Sequence, residues 1–426
     1  MTAPPHPSLS SSPSSSSAFP NSVWERRPRN SVSRLQPTTG RETEFREEGS
    51  QTEFGNQEEG SDRRETLDRD ERLRELLALH FHPQHGSEYW LRRQERLGWE
   101  VRDRVRTCED LWMLGPTPPA DLRQFPLRAF IPRAFHRQWP RFVIGETAGT
   151  SGAPLATAYR EDEFQDAFVA PFVRVALATG FPRGEPWLWV GPSGPHIIGK
   201  VVRELARQTG SMDPFSVDFD PRWAKKLAEG SLARQRYLDH VTSQALDVIE
   251  REEIGVLFIT PPALAALTER LTDRQREAIH GVHYGGMSLT AEMVNRFRDA
   301  YPNAVHLAGY GNTLFGVVME VADTPRQNID YFPLSQRVLF EIVDWTDGET
   351  GRTGAWPPRR LERGQNGRVL FHRLDESCLL VGVVERDEAE RIAPSEAALA
   401  LGGDADGLRN PRPPVPLTSR LQLGLY

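Results

Sequence analysis

Through the middle of the chain, short apolar runs rich in β-branched and aromatic residues alternate with amphipathic stretches of helical period. Phe142-Val-Ile144, Trp187-Leu-Trp-Val190, Val256-Leu-Phe-Ile-Thr260, Val282-His-Tyr284 and Val305-His-Leu-Ala308 read as strands, and Leu155 to Tyr159 as another. Between them lie helices: Asp162 to Thr179 with a kink at Pro171, one through Val201, Val202 and Leu205, then Ala263 to Leu271 and Thr290 to Tyr301. Upstream, the spacing of Leu73, Leu76, Leu77 and His80 predicts a helix ending near Pro83, and Tyr89 to Leu97 a second. Such alternation implies an α/β fold, whose ligand crevice lies at the carboxyl ends of its strands. After Tyr331 the pattern turns to β, with strands at Val338 to Val343, Arg368 to Phe371 and Leu379 to Val384.

These switches divide the chain into four segments. Residues 1–65 form a Ser/Pro-rich tract with few apolar anchors, expected to be disordered. Residues 66–330 are the α/β core, 331–392 a β-rich subdomain of it, and 393–426 an extended Pro- and Gly-rich segment. The mean hydropathy of -0.52 is low for a globular chain, but the deficit sits in the first tract.

A length of 426 residues gives room for a sizeable core. The net charge of -7 gives no general attraction to nucleic acid or to an anionic membrane, and no apolar run approaches the ~18 residues of a membrane span. Cys108 and Cys378 cannot build a disulfide framework, which favours a reduced, cytoplasmic setting. The early arginines of the Ser-rich tract suggest a targeting peptide, but Glu42, Glu44, Glu47 and Glu48 argue against one. Only Lys200, Lys225 and Lys226 are lysines, so chemistry that needs one has few candidates.

The strand-end turns hold the candidate chemistry. Behind Phe142-Val-Ile144 comes Gly145-Glu-Thr-Ala-Gly-Thr-Ser-Gly-Ala-Pro154. Gly149 and Gly152 can take positive φ, and Thr147, Thr150 and Ser151 add hydroxyls, so this loop can wrap an anion such as phosphate. An ordinary polar surface loop is the plainer alternative. A rival lies at Gly194 to Val201, which fits the Walker pattern G-x-x-x-x-G-K-S/T except that Val201 lacks the hydroxyl for Mg²⁺ and Pro195 lacks an N–H. Gly191-Pro-Ser-Gly-Pro195 is close to a nucleophile elbow, with Pro195 in place of its last glycine. His80-Phe-His-Pro-Gln-His85 raises the question of a metal, but no acid or thiol lies among the three imidazoles and Pro83 breaks their alignment.

The order of these motifs resembles the adenylate-forming superfamily of acyl- and aryl-CoA ligases, over residues 87 to 392, and is nearest to its phenylacetate–CoA ligase branch. Thr147-Ala-Gly-Thr-Ser-Gly-Ala-Pro154 resembles the family's phosphate loop, Tyr284-Gly-Gly-Met-Ser-Leu289 its Gly-Gly-x-x-Leu turn, and Tyr310-Gly-Asn-Thr-Leu314 its Tyr-Gly-x-S/T-Glu motif. Leu380 to Asp387 resembles the block whose last residue binds ribose. The Ser-Gly-Pro-His stretch and the abrupt C-terminus are also similar to a lid-less subgroup from phenazine biosynthesis.

The resemblance implies the large N-terminal domain of these enzymes: two mixed β-sheets with flanking helices plus a small β subdomain. It implies ATP and Mg²⁺ as cofactors, a small-molecule carboxylate as substrate, and CoA, a carrier protein or a reductase as acyl acceptor. Thr147, Thr150 and Ser151 would hold phosphates. Gly149, Gly152, Gly285, Gly286, Met287, Tyr310, Gly311, Asn312 and Thr313 would surround the nucleotide, with Asp387 on ribose. His196, Tyr284 and Gly309 would line the acyl pocket, where a structural helix-end histidine and core tyrosines are the alternatives.

Three departures matter. The lysine expected after the loop proline is Leu155, the metal-associated Glu is Leu314, and beyond Asp387 only 426 − 387 = 39 residues remain for a lid, none of them lysine. A catalytically silent binding protein of the same fold is therefore the second reading, and a Walker-type NTPase the third.

Overall fold

The structure, a computed structural model, describes residues 68–147, 149, 153–224, 226–228, 230–321, 327–345 and 356–414. Strands β1 (Phe142–Glu146) and β2 (Ala156–Arg160) form an antiparallel hairpin with Phe142 opposite Arg160 and Glu146 opposite Ala156. The parallel half of the main sheet holds β3 (Trp187–Gly191), β4 (Phe215–Asp218), β5 (Val256–Ile259), β6 (Gly281–Tyr284) and β7 (Val305–Asn312). The antiparallel half holds β8 (Gly316–Glu320), β9 (Asp330–Phe332), β10 (Val338–Asp344), β11 (Arg359–Arg360), β12 (Asn366–Leu374), β13 (Leu379–Ile392) and β14 (Gly407–Arg412).

In the parallel half successive side chains go to two separate cores, as a period of two demands of strands covered on both faces. Trp187, Trp189, Val256 and Phe258 join one cluster, and Leu188, Val190, Leu257 and Ile259 the other. Helices α1 (Arg69–His80), α2 (Glu88–Leu97), α3 (Ala170–Thr179), α4 (Ile197–Gln208), α5 (Leu232–Arg251), α6 (Pro261–Thr268) and α7 (Ala291–Ala300) lie where periodicity predicts helices or, for α5, where it had none assigned. The kink expected at Pro171 is a π-helical segment, Gln165–Val169, directly before α3. Pro171 has no N–H for the carbonyl four residues back, so the helix widens there.

The two expected sheets are one hydrogen-bonded order, β11-β10-β12-β13-β14-β9-β8-β7-β6-β5-β3-β4. β7 is long enough to serve both halves: residues 305–308 run parallel to β6, and 309–312 antiparallel to β8. Residues 393–414 are not simply extended. They form a one-turn helix, Glu396–Ala400, and then β14, which inserts between β13 and β9.

A buried guanidinium joins the hairpin to the main sheet. Arg373 of β12 is fully buried and donates to Thr157 Oγ1 at 2.8 Å and Ala158 O at 2.8 Å on β2, to Leu314 O at 3.3 Å, and to Asp375 at 2.6 Å. It lies 3.6 Å over the Tyr159 ring. Arg337 also bonds the Asp375 carboxylate and donates to Phe315 O at 3.0 Å. Burial alone would raise the Asp375 carboxyl, but Arg337 and Arg373 hold it below the usual carboxylate range.

Removing one partner of a buried pair strands the other charge, which typically costs 3–5 kcal/mol. Arg373→Ala should lose about that much in urea unfolding. Arg373→Lys should recover only part of it, because an ammonium cannot reproduce a fork that reaches four acceptors. Parental stability in Arg373→Lys would contradict this account.

Candidate active site

At the carboxyl ends of the parallel strands, the end of β1 meets the start of α4 and the turn after β7. Gly145 makes the close approach: a Cβ there would sit 2.7 Å from Ile197 Cβ and 3.0 Å from Thr313 Cγ2. Glu146 N donates to Pro195 O at 2.9 Å, and Thr313 Oγ1 donates to Glu146 O at 3.3 Å. Arg222 adds a salt bridge to Glu146 at 2.8 Å and a hydrogen bond to Thr147 O at 3.3 Å.

Thr147 closes the base of the loop, since its Oγ1 accepts from Leu155 N at 2.9 Å and its N–H donates to Leu155 O at 2.9 Å. Gly149 has φ of 67°, the left-handed region foreseen for it. Thr150, Ser151 and Gly152 lie outside the described residues. Leu155 is only 8% exposed and belongs to the core, so the position expected to hold a lysine is an apolar anchor.

Beside this junction opens a cavity of about 630 Å³, open solvent at its mouth included. Phe168, Trp189, Phe258 and His283 give it aromatic walls, and His196, Ile197, Thr313 and Val317 complete much of the rest. Gly285, Gly286, Gly309 and Gly311 also line it. At Gly309 a Cβ would stand 2.9 Å from Val317 Cγ2, so glycine keeps that wall open. The residues predicted for the acyl pocket, His196, Tyr284 and Gly309, all line the cavity.

Tyr284 contributes to the wall, but its hydroxyl turns away to His306 Nδ1 at 2.6 Å, and its ring stacks on Phe297. Its neighbour His283 also lines the cavity. His283 Nδ1–H donates to Leu307 O at 3.1 Å, and its ring lies 4.2 Å from that of Phe258. Burial lowers its pKa to about 4, so it is a neutral wall.

His196, before α4, is buried with Nδ1 unpartnered, and its pKa is lowered by burial and then by the Arg222 charge.

The residues predicted for the nucleotide divide: Gly285, Gly286, Gly311, Asn312 and Thr313 line this same cavity, while Tyr310 reaches the acids of β13. Tyr310 donates to Asp387 Oδ2 at 3.2 Å, and Asn312 Nδ2 donates to Glu385, both acids lying on β13. Asp387 is buried with Oδ1 unpartnered. Burial raises its pKa; Glu385 is pushed up to about 7, first by burial and then by the Asp387 charge. Glu385 was not foreseen, because its link to Asn312 spans 73 residues. Gly286 takes φ of 80° in the turn after β6, and Met287 follows half-buried, apart from the cavity lining.

The turn after Asn312 does not suit a divalent cation. Leu314, in the place of the metal-associated Glu, is 3% exposed and packs in the core. Asn312 Oδ1 accepts from the N–H groups of Leu314 and Phe315 at 2.7 and 3.2 Å, and Thr313 Oγ1 is engaged by Glu146. No group of three metal-binding side chains occurs among the described residues. The residues of this turn therefore do not fit the Mg²⁺ expected there.

The rival motifs have other duties. Lys200 Nζ donates to Ile144 O at 2.7 Å, docking α4 on β1, and Val201 is core. Ser193 Oγ donates to Asp218 at 2.6 Å rather than to a histidine. His80 is buried between Ser87 Oγ at 3.2 Å and Asp375 O at 3.0 Å.

No family model matches the chain, and no curated protein does. Solved structures do. A 2-hydroxyisobutyryl-CoA ligase in complex with 2-HIB-AMP and CoA, in its thioesterification state, is 15% identical with a TM-score of 0.59, covering 83% of this chain and 67% of that one. An open conformation of the same ligase, with the same ligands, is 15% identical with a TM-score of 0.56, covering 79% and 71%. The chain thus has the fold of adenylate-forming CoA ligases and spans about two thirds of their length. No helix among the described residues is long and apolar enough to cross a membrane.

Two buried imidazoles make stability depend on pH. His80 and His283 both fall from 6.5 to about 4 on folding, so each stabilises fully above pH 6.5 and loses that contribution as pH falls toward 4. Each contributes about 3 kcal/mol over that window. In His283→Phe the slope of unfolding free energy against pH between 6.5 and 4 should shrink by about one proton; an unchanged slope would contradict a buried neutral His283.

Proposed function

We propose that this chain binds ATP and an aromatic or other bulky carboxylic acid and joins them as an acyl-adenylate. One observation carries the reading: along β7 a polar pair, Tyr310 with Asp387, adjoins an aromatic cavity lined by Gly309, and the turn that ends the strand bonds the strand leading to the phosphate loop. Ribose, α-phosphate and acyl group would meet around Thr313.

In the reaction a carboxylate oxygen attacks the α-phosphorus, the bond to the β-phosphate oxygen breaks, and pyrophosphate leaves with the electron pair. There is no proton to move, so the protein's part is positioning and stabilisation of charge on the phosphate oxygens. Tyr310 and Asp387 would orient the ribose. The cavity would hold the ring of the acid against Phe258 and His283 and exclude water from the reacting carboxylate.

The fold shared with ligases holding 2-HIB-AMP supports the adenylate, and their CoA supports CoA as one acceptor. The sequence from Thr147 to Pro154 supports the phenylacetate–CoA ligase-like branch. The buried Leu314 favours a second reading, a binding protein of the same fold that holds nucleotide and acid without turnover.

Labelled pyrophosphate should exchange into ATP only when an acid is present, best with aryl acids. Gly309→Val should cut aryl-acid exchange at least tenfold by closing the cavity while AMP binding is unchanged. Tight ATP binding with no exchange for any acid of a broad panel would establish the silent reading instead.

A further inference from the structure

We infer that Arg222 is the cation for the phosphate at this site, taking the place of the lysines that the chain lacks there. The inference rests on the adenylate reading above and adds a residue to it. An α-phosphate under attack needs a positive charge beside its non-bridging oxygens while the new acyl–oxygen–phosphorus bond forms and pyrophosphate departs. Leu155 cannot supply it, being apolar and in the core, and Lys200 is engaged by Ile144 O.

Arg222 is placed to supply it. It sits in the one-turn helix Pro221–Ala224, after β4, where its backbone N–H is fixed by Asp220 Oδ1 at 2.8 Å. Its guanidinium reaches Glu146 and Thr147 O at the end of β1, and its charge acts on His196 at the cavity. It stands, then, between the base of the phosphate loop and the acyl cavity.

Two details mark the side chain as available to a ligand. Its Nε is buried with no partner, and the side chain as a whole is 32% exposed. The Glu146 partner is itself 38% exposed, and a pair this open is weak enough for a phosphate, with more charge and more acceptor oxygens, to displace. Glu146 would hold the guanidinium in place until the anion arrives.

Calorimetry with adenosine, AMP, ATP and inorganic pyrophosphate, on the full chain, tests the assignment. Arg222→Ala should weaken AMP, ATP and pyrophosphate at least tenfold and leave adenosine unchanged, at a parental melting temperature. Pyrophosphate exchange should fall about 100-fold in kcat, with Arg222→Lys retaining part of the rate and added guanidinium restoring part in Arg222→Ala. Equal affinity of parent and Arg222→Ala for AMP and pyrophosphate would overturn the assignment. A parent that binds pyrophosphate through Arg222 but no adenine nucleotide would leave the anion site standing and sink the adenylate reading.

Discussion

The site depends on one buried guanidinium. Arg373 binds two groups on the β1–β2 hairpin and the carbonyl of Leu314 in the turn after β7, while Asp375 and Arg337 balance its charge. Among the described residues the hairpin pairs with no strand of the main sheet, so hydrogen bonds outside the β ladder hold it there. Tyr159, beneath the guanidinium, reinforces the same joint by donating to Thr313 O at 2.9 Å. A hairpin free to drift by an ångström would separate Thr147 from the turn after β7, and positional chemistry is sensitive on that scale.

β7 is the second constraint. Its first half belongs to a parallel sheet buried on both faces, its second to the antiparallel half, and the change falls at Gly309. Gly309, Gly311 and Asn312 line the cavity, while the side chains of Tyr310 and Asn312 bond the acids of β13. One strand in this way joins the cavity to those buried acids.

Much of this was legible in the sequence. The central strands and the apolar stripes of the flanking helices stood out because burial on a sheet or helix face imposes its period on the residues. The Gly- and Thr-rich turns could be placed at strand ends, and Tyr310 and Asp387, 77 residues apart, were paired through the resemblance rather than through any local pattern. What periodicity cannot reveal is contact between distant segments. Arg222 looks like any surface arginine until β4 places it beside Glu146, and Glu385 like any strand acid until β13 sets it against Asn312. β14 was missed because Pro- and Gly-rich sequence argues against a strand, whereas here pairing on both sides by β13 and β9 overrides it.

Leu155 and Leu314 have a structural role, since both side chains pack in the core. The central claim is that phosphate, ribose and acid meet around the turn after β7. A crystal structure of the chain soaked with ATP and an aryl acid tests it most directly. The account predicts adenosine between Tyr310 and Asp387, phosphates at Thr147 beside Arg222, and the ring of the acid against Phe258. Phosphates gathered instead at Gly194 and Lys200, with the cavity beside Phe258 empty, would contradict it.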